Sequence, residues 1–351
     1  MSDRTRRERS EHLALALETI EVRPRSVSEL LEAMGRTGFQ GRSMAACLQV
    51  WLKMIEEPAN TIFLGYAGSL STTGQWKIVS WLIENRFVDA IVSTGANVSE
   101  DIFEGLGFSY FQGSHRADDA ELLEHRIDRY YDVYADELEY RQMEDFLGEF
   151  LSTLDQRRPY SSAELLHLLG AHQAERGVDS ITAAAFRAGV PIFSPGLADS
   201  AYGVAAYLLH KRRGIEVAVD GMRDFLQLGR IGEQAKSTSV IYIGGGVPKD
   251  TIQLVTVMAD LAGGGDEPRP HRYAIQITTD SPQWGGLSGC TFEEAVSWGK
   301  IDPYGEQAVC YCDATIALPL LAHALAEKEP KRRDAPGFDW LFEQVTGSGA
   351  L

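Results

Sequence analysis

The stretch S-V-I-Y-I-G-G-G-V-P-K-D, from Ser239 to Asp250, decides the fold class of this 351-residue chain. Its first five residues, Ser239–Ile243, form an apolar run rich in β-branched side chains, which predicts a buried strand. Three glycines follow, which allow the backbone to approach a ligand closely, and a helical pattern begins beyond them. The stretch therefore predicts an α/β fold in which ligands bind beyond the carboxyl end of a strand.

The same unit recurs along the chain. Short apolar runs alternate with amphipathic stretches that predict helices, and this alternation indicates a parallel sheet with helices on both faces. Seven runs predict strands: Thr61–Leu64, Asp89–Val92, Val190–Phe193, Glu216–Val219, Ser239–Ile243, Tyr273–Ile277 and Ala308–Cys312. Most of them end in small or polar residues, where functional side chains are expected.

Helical patterns precede the first strand and make up a predicted N-terminal helical extension over residues 1–57. Three helices are predicted there: one through Leu13, Leu15 and Leu17, one that opens at Ser28 and ends near Gly35, and one over Ser43–Glu57. We place the α/β domain at residues 58–330. Residues 112–160 interrupt it with acidic and aromatic sequence and predict an irregular insertion with some helix.

The last part of the chain, residues 331–351, predicts a charged, partly disordered tail, in which Phe338, Trp340 and Leu341 are the residues able to dock. The four cysteines, at positions 47, 290, 310 and 312, are expected to be reduced thiols, and no Cys or His cluster predicts a metal site.

A formal net charge of −17 argues against nucleic acid and anionic membranes as partners and is compatible with a cationic substrate. No apolar run is long enough to span a bilayer. No apolar signal-peptide core follows the arginine-rich first residues, so we expect a cytoplasmic protein.

Two early loops have a composition suited to ligand binding. The segment Gly65–Gly74 follows the first strand and offers backbone N–H groups that could bind an anion. An ordinary loop without a ligand explains its small and glycine residues equally well. The segment after the second strand contains Ser99, Glu100 and Asp101. Capping of the next helix accounts for Ser99 and Asp101, whereas Glu100 has the charge to meet a cationic ligand.

Three later residues have both a functional and an ordinary interpretation. Asp250 lies near a helix start and either caps it or faces the ligand. Lys300 is either a surface lysine or an amine nucleophile, since an apolar setting beside Trp298 lowers a lysine pKa. Asp313 ends the last strand, where a carboxylate accepts a ribose hydroxyl or caps the following helix.

Several motifs together resemble the deoxyhypusine synthase family. They are I-F-L-G-Y at Ile62 to Tyr66, I-F-S-P-G-L-A-D at Ile192 to Asp199, the triple glycine, E-E-A-V-S-W-G-K-I at Glu293 to Ile301 and C-D-A-T-I-A-L-P-L-L at Cys312 to Leu321. The similarity runs in order from about Val22 to Lys328. The resemblance implies a Rossmann-like NAD-binding fold and a homotetramer with active sites between paired subunits.

The resemblance also implies a mechanism and a set of site residues. NAD takes hydride from spermidine, the imine is exchanged onto Lys300, and the butylimine passes to an acceptor amine and is reduced. Glu294 and Trp298 match residues that line the polyamine, and Glu100 matches a carboxylate shared by the cofactor and polyamine pockets. The positions that match NAD contacts are Gly68, Ser69, Leu70, Ser71, Thr72, Thr94, Gly95, Ala96, Asp199, Gly245, Thr279, Asp280, Asp313 and Ala314.

Four positions depart from the family pattern in the amine pocket. Val204 and Leu287 replace aspartates that hold the polyamine, Trp284 replaces an acidic residue near the ribose, and Asp250 replaces a histidine. Each lost charge-assisted hydrogen bond is worth roughly 1.5–3 kcal/mol, and Asp250 returns one negative charge. These departures predict that the amine is held differently.

Three functions are therefore open. The first is an aminobutyl transferase with a small-amine acceptor and a homospermidine-type product. The second is deoxyhypusine synthase proper, which modifies a lysine of translation initiation factor 5A. The third is a non-catalytic NAD-binding protein on the same scaffold.

Overall fold

A six-stranded, fully parallel sheet organises the chain, of which a computed structural model describes residues 9–265 and 268–346. The strands are β1 (Asn60–Tyr66), β2 (Ala90–Ser93), β3 (Phe111–Gln112), β4 (Ile127–Tyr130), β5 (Val133–Asp136), β6 (Ile192–Phe193), β7 (Ser237–Ile243), β8 (His271–Thr278) and β9 (Ile301–Tyr311). The first eight helices are α1 (Arg9–His12), α2 (Val27–Gly35), α3 (Phe39–Glu56), α4 (Trp76–Glu84), α5 (Asn97–Gly105), α6 (Asp119–His125), α7 (Glu137–Thr153) and α8 (Ser162–Glu175). The remaining helices are α9 (Ile181–Ala188), α10 (Ala201–Arg213), α11 (Gly221–Gln234), α12 (Gly246–Ala262), α13 (Phe292–Ser297), α14 (Ala314–Lys328) and α15 (Glu343–Thr346).

The strand order in the large sheet is β6-β2-β1-β7-β8-β9. The chain winds outward from β1 to β6, returns to β7 beside β1 and then winds outward in the other direction. This is the order of dinucleotide-binding Rossmann folds, in which ligands bind where the winding reverses. The predicted Rossmann-like α/β fold is confirmed, and the reversal lies between β1 and β7.

The sheet is buried on both faces, as a parallel sheet requires. Every residue of β1 is buried, and β7 is buried over Thr238–Ile243. Helix α3 covers β9 and β8 with an apolar stripe that includes Cys47, Leu48 and Trp51. The N-terminal helices therefore share the core of the sheet, and the domain boundaries at residues 57 and 330 stay predictions.

Three local predictions were wrong. The run Glu216–Val219 forms no strand and makes a single bridge, between Val219 and Tyr160. Leu13, Leu15 and Leu17 lie beyond the end of α1 and are at least 65% exposed, because leucines at every second position give a helix no continuous apolar face. The insertion over residues 112–160 is more regular than expected, since β3, β5 and β4 form an antiparallel sheet and α7 follows them.

The segment after α14 packs against the sheet. Phe338 and Leu341 are 4% and 3% exposed, and Trp340 is partly buried against the same core. Arg332 donates to Asp89 Oδ2 at 2.6 Å, and both side chains are almost completely buried. The docking residues of the tail are thus in contact with the core up to the end of the described chain.

Among residues 9–265 and 268–346, no helix has the length and apolar character needed to cross a membrane.

Candidate functional site

The loops that follow β1 and β2 lie side by side at the carboxyl edge of the sheet. Thr94 joins them, because its Oγ1 donates to the carbonyl of Gly68 at 2.7 Å and its backbone N–H donates to the carbonyl of Tyr66 at 3.3 Å. The N–H of Leu70 donates to Asn97 Oδ1 at 2.7 Å. The predicted cofactor residues of both loops are therefore held next to each other.

These two loops present unpaired backbone donors. Within the described chain, no acceptor is bonded to the N–H groups of Gly68, Ser69, Gly95 or Ala96. Gly68 has a φ of +94°, a conformation that glycine adopts without strain. Neighbouring N–H groups of this kind bind phosphate oxygens, so the cradle fits the pyrophosphate of a dinucleotide.

Glu100 places a buried carboxylate against the loop that follows β1. Ser69 Oγ lies 2.7 Å and 2.8 Å from the two carboxylate oxygens and donates to them, and Glu100 is only 4% exposed. Burial raises the pKa of Glu100 to about 7, and the hydrogen bond from Ser69 opposes this shift. A cationic ligand would stabilise the ionised form.

The capping roles proposed for Ser99 and Asp101 were wrong. Helix α5 has Ala96 as its N-cap without a side-chain hydrogen bond, and Ser99 Oγ donates to the carbonyl of Ala96. Asp101 instead accepts from the N–H of Ile181 at 2.6 Å and thereby satisfies the start of α9. Glu100 is thus left as the carboxylate of this segment that faces the loop after β1.

The loop after β6 carries Asp199 close to the loop after β2. A Cβ atom on Gly95 would lie 2.6 Å from Ser200 Oγ and 2.9 Å from the carbonyl oxygen of Leu197, so only glycine fits there. Asp199 itself is exposed. Asp199 therefore lies at the carboxyl edge of the sheet, beside the predicted cofactor loops.

The triple glycine packs closely against the loop that follows β8. Gly244 donates to the carbonyl of Ile277 at 2.8 Å, and Gly246 donates to Ser288 Oγ at 3.1 Å. A Cβ atom on Gly245 would lie only 2.4 Å from the Cα atom of Ser288. The glycines thus let this loop pack closely against the loop after β8, and they also lead into the start of α12.

Lys249 is a functional candidate that sequence reasoning missed. It is 1% exposed, and its Nζ donates to Gln276 Oε1 at 2.9 Å and to the carbonyls of Cys290 at 2.5 Å and Ser288 at 3.5 Å. Burial lowers its pKa to about 8, against the opposing effect of nearby acidic groups. The sequence signal for Lys249 was its position in the first turn of the helix that follows the glycine loop.

Asp250 lies beside Lys249 as the fifth residue of α12 and is half-buried. The helix has Gly245 as its N-cap and no capping side chain, so the capping interpretation of Asp250 was wrong. Asp313 does cap a helix, because its Oδ1 accepts from the N–H of Thr315 at 2.8 Å. Its second carboxylate oxygen remains available to a ligand.

Thr279 and Asp280 follow β8, and Asp313 and Ala314 follow β9, which places all four at the carboxyl edge. Asp280 is fixed by its own loop, since its N–H donates to Thr278 Oγ1 and its Oδ1 accepts from the N–H of Ser281 at 2.9 Å. The predicted cofactor positions thus lie in loops along one edge of the sheet.

Lys300 occupies a different place. It directly precedes β9, and its carbonyl accepts from the N–H of His271, the first residue of β8, so its backbone lies at the amino edge of the sheet. Its Nζ lies 5.2 Å from the ring centroid of Trp298. Within the described residues, no hydrogen bond or ion pair joins Lys300 Nζ to Glu100 or Asp250. The grouping of Lys300 with Glu100 and Asp250 in one polyamine site stays a prediction.

The three apolar departures from the family pattern and Trp298 are all exposed. Trp284 is 73%, Trp298 67%, Leu287 46% and Val204 39% exposed. Glu294 is exposed as well, on the short helix α13. Large apolar side chains at these positions favour burial by another molecule.

Comparison with known proteins gives one consistent result. The deoxyhypusine synthase family model matches residues 29–325. "Probable deoxyhypusine synthase 2" of Methanosarcina mazei is 45% identical over 324 residues, which cover 92% of this chain and 93% of the relative. "Deoxyhypusine synthase-like protein" of Elusimicrobium minutum is 39% identical over 319 residues, 89% of this chain and 83% of the relative.

A solved structure supports the fold. The "Crystal Structure of a putative deoxyhypusine synthase from Entamoeba histolytica" aligns with a TM-score of 0.63 at 18% sequence identity, over 89% of this chain and 96% of that chain. The family transfers an aminobutyl group from spermidine and depends on NAD, which agrees with the N–H cradle at β1 and β2. From the matched residues and the identities to its relatives, the chain belongs to the deoxyhypusine synthase family.

Proposed function

We propose that the protein is an NAD-dependent transferase that moves a 4-aminobutyl group from a polyamine such as spermidine to a small acceptor amine, with a homospermidine-type product. The observation that carries this proposal is a buried carboxylate, Glu100, held by Ser69 beside unpaired N–H groups. A dinucleotide phosphate and an ammonium group are both accommodated by this arrangement.

Each part of the edge has a role in binding. The loops with Gly68–Thr72 and Thr94–Ala96 hold the pyrophosphate, and Asp199, Asp280 and Asp313 offer carboxylates to ribose hydroxyls. Gly245, Thr279 and Ala314 complete the cofactor contacts. Glu100, Asp250 and Glu294 attract the ammonium groups of the polyamine, and Trp298 supplies a cation–π face.

In the proposed reaction, the aminobutyl group passes through an imine on Lys300. Bound NAD would supply a hydride acceptor and, in its reduced form, a hydride donor. The carbon next to the secondary amine of spermidine loses hydride and becomes an imine. The Lys300 amine adds to this imine and releases 1,3-diaminopropane. The acceptor amine then displaces Lys300, and the new imine is reduced, so that spermidine and putrescine give homospermidine and diaminopropane.

The scheme includes a second subunit, as the resemblance to the family implies. Lys300 lies at the amino edge of the sheet and Glu100 at the carboxyl edge, so a second subunit is proposed to bring Lys300 to a neighbouring cofactor site. The exposed side chains of Trp284, Leu287 and Trp298 support such pairing. We therefore propose a homotetramer built from paired subunits.

A second candidate is deoxyhypusine synthase proper, which the names of the archaeal relatives favour. The net charge of −17 suits a basic acceptor protein. Against it, Val204, Leu287 and Asp250 alter the amine pocket. A third candidate is a non-catalytic NAD-binding protein, which the triple glycine, Asp199 and Asp313 would serve without Lys300.

The deciding experiment is mass spectrometry of products from purified protein, NAD, spermidine and putrescine. We expect homospermidine and diaminopropane from the native chain and no product from Lys300→Ala. Lys331→Ala, which removes an exposed lysine in the tail, serves as the control and should keep full activity. Unchanged turnover in Lys300→Ala would contradict the imine mechanism.

The same reaction separates the alternatives. Diaminopropane without homospermidine would indicate a different acceptor, and labelled spermidine with translation initiation factor 5A would then show whether a protein lysine receives the label. NAD binding without consumption of spermidine or any other amine would favour the non-catalytic protein.

A further inference from the structure

A cavity of about 310 Å³ opens between α8, α10 and α11. Its lining shares the loop after β6 with the candidate site but contains none of the predicted catalytic, cofactor or substrate residues. Its walls are mostly apolar and include Leu151, Leu165, Leu197, Ala206 and Val217. By the volume of about 30 Å³ that one water occupies, it holds a compound of roughly ten non-hydrogen atoms.

One end of the cavity is polar and deeply buried. Asp224 is fully buried and accepts from Ser162 twice, from the N–H at 2.7 Å and from Oγ at 2.8 Å. Ser162 Oγ in turn accepts from the N–H of Ser194 at 2.7 Å. Three groups from α11, α8 and the loop after β6 are thereby locked together.

Ser194 has a hydroxyl that this network leaves unused. The residue is 1% exposed and lines the cavity, and its Oγ has no hydrogen-bond partner within residues 9–265 and 268–346. Buried hydroxyls are almost always bonded, so the Ser194 hydroxyl is available to a molecule that enters the cavity.

The charged side chains around the cavity favour a cationic ligand. Of the described residues that line it, Asp224 alone carries a charged side chain. The nearby arginines are already engaged, since Arg158 and Arg223 bind Glu164 at 2.6 Å and 2.7 Å. Burial raises the pKa of Asp224 to about 6, which a bound ammonium group would reverse.

We propose that this cavity binds a small aliphatic primary amine, with the ammonium group on Asp224 and Ser194 Oγ and the hydrocarbon body against Leu165, Leu197 and Val217. A second ammonium would find no further carboxylate among the lining residues, so a monoamine is favoured over a polyamine. This separates the cavity from the proposed transferase site, where several carboxylates face the amine.

Isothermal titration calorimetry with cyclohexylmethylamine on the full chain tests this inference. The matched neutral and anionic probes are cyclohexylmethanol and cyclohexanecarboxylate, and both should bind at least tenfold more weakly. Asp224→Asn removes the charge and should lower the affinity for the amine at least tenfold. Glu233→Gln, an exposed carboxylate on the same helix, should leave it unchanged.

Ala206→Leu fills the cavity without removing any hydrogen-bonding group of the chain and should abolish binding, which keeps the test valid if Asp224→Asn does not fold. Lys300→Ala should bind the amine as the native chain does, so that failure of the transferase proposal is distinguished from failure of this one. The inference is overturned by absent binding, by equal binding of the alcohol, or by full affinity in Ala206→Leu.

Discussion

Lys249 shows how one side chain ties together segments that are distant in sequence. Its Nζ links α12 to Gln276 in β8 and to the carbonyls of Ser288 and Cys290, in the loop that precedes α13. The tyrosine and phenylalanine rings of Tyr242 and Phe292 lie 5.7 Å and 5.9 Å from it. The triple glycine and the loop beyond β8 therefore share one buried amine as their common anchor.

The pH dependence of stability should reveal this buried amine. Because the pKa of Lys249 is about 8 in the folded chain, against the ordinary lysine value of 10.5 that applies once the chain unfolds, the unfolded state binds more protons between these values. The free energy of unfolding should then rise with pH from 8 to 10.5, by up to about 3 kcal/mol relative to Lys249→Met. Urea unfolding at several pH values measures this difference.

Lys236→Met, at an exposed lysine, is the control for that series: it keeps Lys249, so the difference in free energy of unfolding between it and the native chain should stay constant with pH. A constant difference between the native chain and Lys249→Met over this pH range would contradict the lowered pKa.

Glu100 should control amine binding through its own protonation. With its pKa raised to about 7 by burial, it is mostly protonated at pH 6 and mostly ionised at pH 7.5. Affinity for spermidine in the presence of NAD should therefore increase roughly five- to tenfold over this range, because the ammonium pairs with the ionised form. Calorimetric titration with spermidine at each pH measures this change in affinity.

The matched control is Asp101, whose pKa is also raised to about 7 by burial but whose Oδ2 binds the N–H of Ile181. Asp101→Asn should keep the increase in affinity, whereas Glu100→Gln should remove it. If Glu100→Gln keeps the increase, Glu100 does not pair with the amine.

At the scale of elements, the segment after α14 should stabilise the sheet through Arg332. It donates to Asp89 Oδ2 and also to the carbonyls of Asn60 and Glu57. Arg332→Ala leaves Asp89 with Arg86 as its remaining cationic partner, at 3.0 Å. We expect a loss of about 2–4 kcal/mol in the free energy of unfolding, measured by urea titration.

Arg333→Ala, one residue further along, removes an exposed arginine and should change stability by less than about 0.5 kcal/mol. Equal stability of the two variants would show that the buried ion pair makes no net contribution.

The strands of the large sheet were predictable because they are buried on both faces and therefore appear as continuous apolar runs. β3, β4 and β5 were missed because nearly all of their residues are exposed or half-buried, so neither alternation nor an apolar run marks them. Glu216–Val219 has strand-like composition, yet no partner strand lies beside it apart from one bridge at Tyr160.

The candidate site was predictable only in part, because resemblance gives positions but not contacts. Glu100 and the loops around Gly68 and Gly95 are brought together as expected. Burial of Lys249 was not visible in the sequence, since it depends on the loop at 285–290 folding back over Gln276. The position of the Lys300 backbone at the amino edge likewise follows from the register of β9 on β8.

At the scale of the whole molecule, assembly is expected to cover the exposed apolar side chains around the site. Light scattering coupled to gel filtration should give four times the chain mass of 38.7 kDa. Leu287→Arg places a charge in this set and should reduce the mass, because an unpaired charge opposes burial. Leu123→Arg, at a leucine that is 75% exposed on α6, is the control. A monomeric native chain would exclude the proposed pairing.

The strand order also bears on how the chain folds during synthesis. β1 ends at Tyr66, but its neighbour β7 begins at Ser237, so the centre of the sheet closes only after about half of the chain has followed β1. At roughly 5–20 residues per second, this takes on the order of ten seconds or more. During that interval the apolar strand β1 has one unpaired edge, which makes the nascent chain most prone to aggregation before β7 leaves the ribosome.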